Sequence, residues 1–274
     1  MKLKLVVLGA FLASRSEAFS PKPWPSLSRA TRLDASSLGK LSLVGSGPGD
    51  PDLLTVQALR LLEEASLVVA DRLISEDILK LIKCELRIAE KKPGCAEPAQ
   101  QQIYEWVEEA LREGRSVVRL KIGDPLLFGR GGEEILYFRR MGVEAIVAPG
   151  ISSSYCAPSA AGIPLTHRGV SNQVLISTGY GKDSSEVDLP PFVKDRTVVL
   201  LMAVGRIADI AAKMMSERLA YPGDTPVAIV ENATTPKQRT LTATLETIGR
   251  VAEESKAKAP AAIIVGDVVD VLRQ

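Results

Sequence analysis

Apolar runs and amphipathic stretches alternate along this chain from Lys40 onward. Leu41, Leu43 and Val44 predict a short buried strand, which runs into Gly45-Ser-Gly-Pro-Gly-Asp50 and then a helix through Leu53–Leu62. A second strand, Leu67–Ala70, ends in Asp71, and a helix near Glu76–Ile82 leads to a short strand, Leu86–Ala89. Ile103, Trp106, Val107, Ala110 and Leu111 recur on one helical face, predicting an amphipathic helix from Ala99 to Arg112 that Gly114 stops. Strand Ser116–Leu120, a glycine-rich loop over 121–132, a helix from Glu133 and strand Ala145–Ala148 follow. This β-α alternation predicts a mostly parallel sheet.

Beyond Pro149 the pattern changes. A helix of small residues (Ser154–Ala161) precedes the loop Ile163-Pro-Leu-Thr-His-Arg-Gly169 and a strand, Val174–Ser177. A polar loop over 180–195 leads to strand Thr197–Met202, helix Ile207–Leu219, strands Val227–Val230 and Arg239–Thr242, helix Leu245–Glu254 and strand Ala261–Val265. Arg239-Thr-Leu-Thr alternates directly after a turn, so this second sheet is expected to be mixed. The reading is an α/β protein of two α/β domains: residues 1–39 as presequence, 40–149 as N-terminal domain and 150–274 as C-terminal domain.

The first 39 residues stand apart. Lys2 and Lys4 precede an apolar run, Leu5 to Ala13, too short to span a bilayer, and Ser16-Glu17-Ala18 offers a signal-peptidase site. Phe19 to Leu38 is rich in Ser, Pro and Arg, which is transit-peptide composition. Together they resemble a bipartite plastid presequence, implying a stromal protein; a secreted protein with a linker is the alternative. Removing these residues, with six basic and two acidic side chains, takes the net charge from +1 to −3. The balance suggests neither a nucleic-acid nor a membrane partner, and an anionic substrate would have to be met by a local basic cluster. Cys84, Cys95 and Cys156 show no metal-ligand spacing, so no metal is expected.

Three glycine-rich loops fall at predicted strand ends: Gly45–Asp50, Gly123–Gly132 and Pro149–Ser153. In an open α/β sheet such loops share one edge and converge on a crevice. The first is not the dinucleotide fingerprint G-x-G-x-x-G, because Asp50 stands where the third glycine is due and Pro48 removes an N–H. Its ligand should be neutral or cationic. Asp50 and Asp52 are the expected caps of the following helix. Asp71 could be read as a ribose-binding acid, so a NAD-dependent oxidoreductase stays as a rival.

Val44-Gly-Ser-Gly-Pro-Gly-Asp-Pro-Asp-Leu-Leu-Thr55 resembles the first motif of the tetrapyrrole methylase family. Arg119-Leu-Lys-Ile-Gly-Asp-Pro-Leu-Leu-Phe-Gly-Arg-Gly-Gly-Glu-Glu134, Pro149-Gly-Ile-Ser, Ala161-Gly-Ile-Pro-Leu-Thr-His-Arg-Gly169 and Val230-Glu-Asn-Ala-Thr-Thr-Pro-Lys-Gln-Arg239 resemble its uroporphyrinogen-III-methylating branch. The likeness covers roughly residues 40–270. It implies a homodimer binding S-adenosyl-L-methionine in a cleft between the domains, and two methyl transfers to uroporphyrinogen III giving precorrin-2 on the route to sirohaem. A sister methylase of a later corrinoid precursor is the nearest alternative.

The resemblance also implies site residues. Pro48, Ile122, Gly123, Asp124, Leu127, Ser152, Ser153, Met202 and Ala233 would contact the cofactor. Ile122 and Ala233 depart from the family's usual glycines, and Ile122 is compatible only with a negative φ. Asp71 maps onto the proton acceptor and Lys91 onto the proton donor, with Lys92 as an alternative. A substrate with eight carboxylates calls for cations; Arg130, Lys121 and Arg168, with His167 lining the site, are the expected contacts, and Arg72 and Arg239 are further candidates.

Overall fold

A computed structural model describes residues 38–89, 96–181 and 185–273. Residues 1–37 of the expected 1–39 presequence, Lys91 and Lys92 lie outside the described residues.

The first sheet contains β1 (Lys40–Gly45), β2 (Leu67–Asp71), β3 (Glu85–Ala89), β4 (Ser116–Lys121) and β5 (Ile146–Ala148), in the order β3-β2-β4-β1-β5. Every pairing is parallel. The chain winds outward from β1 to β3, returns to β4, then crosses β1 to β5, so the winding reverses beside β1. Helices cover both faces, which is why these strands read as apolar runs. Leu41, Leu43, Leu67, Val69 and Val117 pack against α3 (Ala96–Arg112) and α4 (Gly131–Arg139) through Ile103, Val107, Leu111 and Phe138. Val44, Val68, Ala70, Val118 and Leu120 face α1 (Val56–Glu64) and α2 (Glu76–Leu79) through Ala58, Leu62 and Ile78.

The second sheet holds β6 (Gln173–Thr178), β7 (Arg196–Leu201), β8 (Pro226–Glu231), β9 (Arg239–Thr244) and β10 (Ala261–Val265), ordered β6-β7-β10-β8-β9. Only β6 and β7 pair in parallel; the other three pairings are antiparallel, so the sheet is mixed as expected. One face packs on α6 (Ile207–Met214) and α7 (Leu245–Glu254), the other on α5 (Ser153–Ala160).

Several helix boundaries differ from expectation. Helix α2 ends at Leu79 rather than near Ile82, α3 begins at Ala96 rather than Ala99, α4 begins at Gly131 rather than Glu133, and α5 is shifted one residue earlier. Two further differences have a visible cause. The first helix begins at Val56 rather than Leu53, because Pro51–Leu53 form a separate 3-10 turn and Leu54 and Thr55 are extended. Asp50 caps that turn by accepting from the Asp52 N–H at 2.9 Å, while Thr55 caps α1 by accepting from Ala58 N–H at 3.1 Å. Helix α6 ends at Met214, where a return bond from Tyr221 N–H to the Met214 carbonyl (3.0 Å) folds Leu219 back into the core.

Candidate active site

Because β4, β1 and β5 are neighbours, the three glycine-rich loops leave the same edge of the sheet side by side. They meet with no room for a side chain. A Cβ on Gly45 would stand 2.5 Å from Gly150 N and 2.6 Å from Gly123 O, and one on Gly150 would stand 2.2 Å from Gly123 O. Gly47 and Gly123 exchange backbone hydrogen bonds of 3.2 and 2.9 Å. The Asp124 carboxylate then fastens two of the loops, accepting from Leu126 N–H at 2.8 Å and from Gly150 N–H at 3.2 Å. A 3-10 turn capped by Asp50 follows Gly49, and α1 starts only at Val56. No α-helix N-terminus therefore stands directly after the loop as a pyrophosphate site requires.

The second sheet meets this edge through its own strand ends. Asp50 donates its N–H to Thr234 Oγ1 at 3.2 Å, and a Cβ on Gly49 would lie 2.8 Å from the Thr235 methyl. Ala233 is buried here, between Asn232 and Thr234, both at positive φ. Met202, at the end of β7, also has positive φ (54°) and is 50% exposed. Ser152 caps α5, accepting from Ser154 N–H at 3.2 Å, and Ser153 opens that helix. Pro48 is buried, and Ile122 keeps a negative φ, the condition its side chain imposes. None of the nine residues assigned to the cofactor carries a positive charge. Backbone groups, hydroxyls and a carboxylate suit a cationic sulfonium better than a polyphosphate.

Beneath the loops, on the face toward α3 and α4, lies a closed cluster of charge. Arg119 is 0% exposed, Glu134 is 0% and Lys121 is 1%. Arg119 donates to Asp71 Oδ1, to the Val69 carbonyl (3.2 Å) and to the Leu120 carbonyl (2.9 Å). Its Nε lies 3.3 Å from Glu134 Oε2 without hydrogen-bond alignment, so both atoms lack a hydrogen bond. Glu134 Oε1 accepts from Lys121 Nζ at 2.8 Å and Gln100 Nε2 at 3.1 Å. Burial pushes the Glu134 carboxyl up, but Arg119, Lys121 and these hydrogen bonds outweigh it and hold it below the usual range. Burial, with Arg119 alongside, pushes the Lys121 ammonium down despite its carboxylate partners.

Lys121 is therefore not a surface grip for a substrate carboxylate: buried on the inner face of β4, it is spent on Glu134. His167 and Arg168 are also placed differently. Their loop is tied to the start of β7, where Leu165 O accepts from Thr197 Oγ1 at 2.8 Å. Met202 lies at the other end of that strand, roughly 17 Å away at about 3.3 Å per residue. Both residues are exposed, on a loop held at the opposite end of β7 from Met202. Arg130 does belong to it: it takes a left-handed φ of 60° before α4 and pairs with Glu133 at 2.7 Å. Leu127, in the same loop, is half-buried. Arg72 is exposed, and Arg239 pairs with the buried Glu231. Sequence reasoning missed Arg119, Glu134, Gln100 and Thr234. The available signal was charge alternating in an apolar strand, Val118-Arg119-Leu120-Lys121, with Glu134 in the first turn of the next helix.

The family profile described as Tetrapyrrole (Corrin/Porphyrin) Methylases matches residues 40–249. The uroporphyrinogen-III C-methyltransferase of Saccharomyces cerevisiae is 44% identical over 237 residues, covering 86% of this chain. The chain spans only 40% of that protein, and 47% of a Schizosaccharomyces pombe relative. It spans 98% of the Methanocaldococcus jannaschii enzyme of the same name, at 40% identity over 85% of this chain. A chloroplastic S-adenosyl-L-methionine-dependent uroporphyrinogen III methyltransferase of Arabidopsis thaliana is 40% identical, covering 85% of this chain and 64% of that protein. The Thermus thermophilus uroporphyrin-III C-methyl transferase solved with S-adenyl homocysteine superposes with a TM-score of 0.72, at 40% identity over 85% of this chain and 94% of that one. With its motifs placed on converging strand-end loops, this chain belongs to the tetrapyrrole methylase family.

Proposed function

We propose that this chain is an S-adenosyl-L-methionine-dependent C-methyltransferase that methylates uroporphyrinogen III twice, giving precorrin-2 for sirohaem synthesis. The observation that carries this reading is the glycine junction of Gly45, Gly123 and Gly150, rimmed by Asp50 and Asp124 and met from the second sheet by Ala233 and Thr234. It offers a cationic nucleoside ligand close backbone contact and two carboxylates. S-adenosyl-L-methionine, when bound, supplies a methyl group already activated on a cationic sulfur. The chain's task is to hold that methyl in line with a ring carbon, worth up to about 7–11 kcal/mol. Arg130 binds a substrate carboxylate. Each methyl gained leaves the ring cationic until one ring proton is lost, which acidifies that proton; Asp71 is the proposed acceptor. Lys91 is the proposed proton donor. His167 and Arg168, exposed on the loop tied to the start of β7, are further proposed substrate contacts.

Full-length protein incubated with uroporphyrinogen III and methyl-labelled S-adenosyl-L-methionine should give a product two methyls heavier by mass spectrometry. No label in the macrocycle, or tight NADH binding instead, would overturn the reading. We further propose plastid targeting, supported by the composition of residues 1–39 and by the chloroplastic relative. A fluorescent protein fused behind residues 1–39 should enter plastids; secretion would refute it.

A further inference from the structure

We infer that Glu134 is a positioning residue for methyl transfer, acting on Asp71 through Arg119 without touching substrate. The inference rests on the proposed role of Asp71. Asp71 ends β2 and its side chain is 17% exposed, the only member of the cluster to reach the surface among Asp71, Arg119, Lys121 and Glu134. Its Oδ1 is held by a guanidinium that has no freedom of its own. Two of the Arg119 nitrogens are taken by Asp71 and by the Val69 and Leu120 carbonyls, and the third faces Glu134. Glu134 is fixed in turn by Lys121, two residues beyond Arg119 on β4, and by Gln100 of α3.

The chain of contacts therefore runs from α3 and α4, through the middle of β4, to a carboxylate at the C-terminal end of β2. Simple fold stability does not require it. A matched pair of apolar residues would fill this position at no electrostatic cost, because buried ion pairs seldom stabilise more than hydrophobic packing does. What four fixed charges provide is orientation: a carboxylate held against an immobile guanidinium presents one geometry to its ligand.

The test uses full-length Glu134→Asp and the paired variant Glu134→Gln with Lys121→Met, the second removing an anion and its cation together. Each is compared in wild-type and Asp71→Asn backgrounds by thermal unfolding, S-adenosyl-L-methionine titration and single-turnover methylation. Positioning predicts folded variants with kcat lowered about tenfold or more, while cofactor Kd and substrate KM stay within about threefold. In the Asp71→Asn background the same changes should have no further effect on rate, since the residue they position is already lost. If the paired variant folds with wild-type kcat, Glu134 only balances the charge of Lys121 and the inference fails, while Asp71 keeps its role. Should the paired variant not fold, Glu134→Asp decides: a wild-type rate, or a loss additive with Asp71→Asn, overturns the inference. If Asp71→Asn itself methylates at the wild-type rate, the underlying reading of Asp71 falls, and the inference with it.

Discussion

The two sheets of this protein bring their strand ends to one place by different means. The first closes its edge with glycines. Gly45, Gly123 and Gly150 approach until no Cβ fits, and the resulting geometry is set by backbone contact and the Asp124 staple. The second uses residues with side chains in the left-handed region: Met202 at φ 54°, Asn232 at 46° and Thr234 at 67°. Such a conformation costs a non-glycine residue roughly 1–2 kcal/mol, less for asparagine. The interiors differ as well. Under the first edge lie Arg119, Lys121 and Glu134, fully enclosed, whereas in the second sheet the buried Glu231 pairs with a partly exposed Arg239 and accepts the Lys258 N–H at 2.7 Å. Arg130 and Phe128 of the first edge also take left-handed φ. The contrast is therefore that the first sheet adds a glycine-closed junction and enclosed charges, while the second meets the edge with side-chain-bearing residues alone.

The largest expected effect tests the frame. Gly150→Ala would drive a Cβ to within 2.2 Å of Gly123 O, and neither backbone can withdraw without breaking the β1–β5 pairing. A loss of about 4 kcal/mol or more is expected by denaturant unfolding. A midpoint unchanged from wild type would show that the junction is looser than its geometry.

Comparing one cation from each sheet comes next. Lys121→Met leaves the buried Glu134 and the partly exposed Asp71 sharing one guanidinium, for an expected cost of about 3 kcal/mol. Arg239→Met leaves Glu231 its backbone donor and should cost about 1 kcal/mol. Equal losses would erase the distinction between the two interiors.

Acid titration separates the interiors in another way. The folded-state value of Glu134 is depressed below its ordinary 4.5, so its contribution is present above that pH and lost as pH falls through the folded value. The paired Glu134→Gln, Lys121→Met variant should therefore lose less stability than wild type between pH 5 and about pH 3, read by urea midpoints. Parallel curves would remove Glu134 from the acid response.

Met202→Gly should have the smallest effect on stability and an opposite sign. Relief of the left-handed strain is offset by the extra freedom of glycine in the unfolded chain, leaving a gain of about 0.5 kcal/mol or less. S-adenosyl-L-methionine affinity should fall at the same time. If affinity holds, the strain at Met202 does not serve the cofactor.

Much of the architecture was legible in the sequence, because period and punctuation are local properties. Apolar runs of four to six residues bounded by glycine or polar turns can hardly form anything but enclosed strands, and both β10 (Ala261–Val265) and α7 (Leu245–Glu254) fall where the pattern put them. The meeting of three glycine loops was also readable, since parallel strands of one sheet must end on the same edge. The start of α1 was not. Asp50, Asp52 and Thr55 are all good caps, and the choice among them depended on Pro51 closing a 3-10 turn first.

Lys121 marks where sequence reasoning ends. In Val118-Arg119-Leu120-Lys121 the polar positions alternate, the usual mark of a face open to water, and a cation in a matched motif reads as a substrate contact. Tertiary structure decided otherwise, because α3 and α4 cover that face and bring Glu134 and Gln100 against it from other parts of the chain. Charge alone does not reveal whether its partner is water, ligand or a buried carboxylate. The same limit applies to His167 and Arg168: their motif identified the family, but only the path of the loop back to the start of β7 placed them away from Met202. Local pattern determined which segments would fold and at which edge the backbone would gather. Long-range packing decided which charges face the ligand and which hold one another.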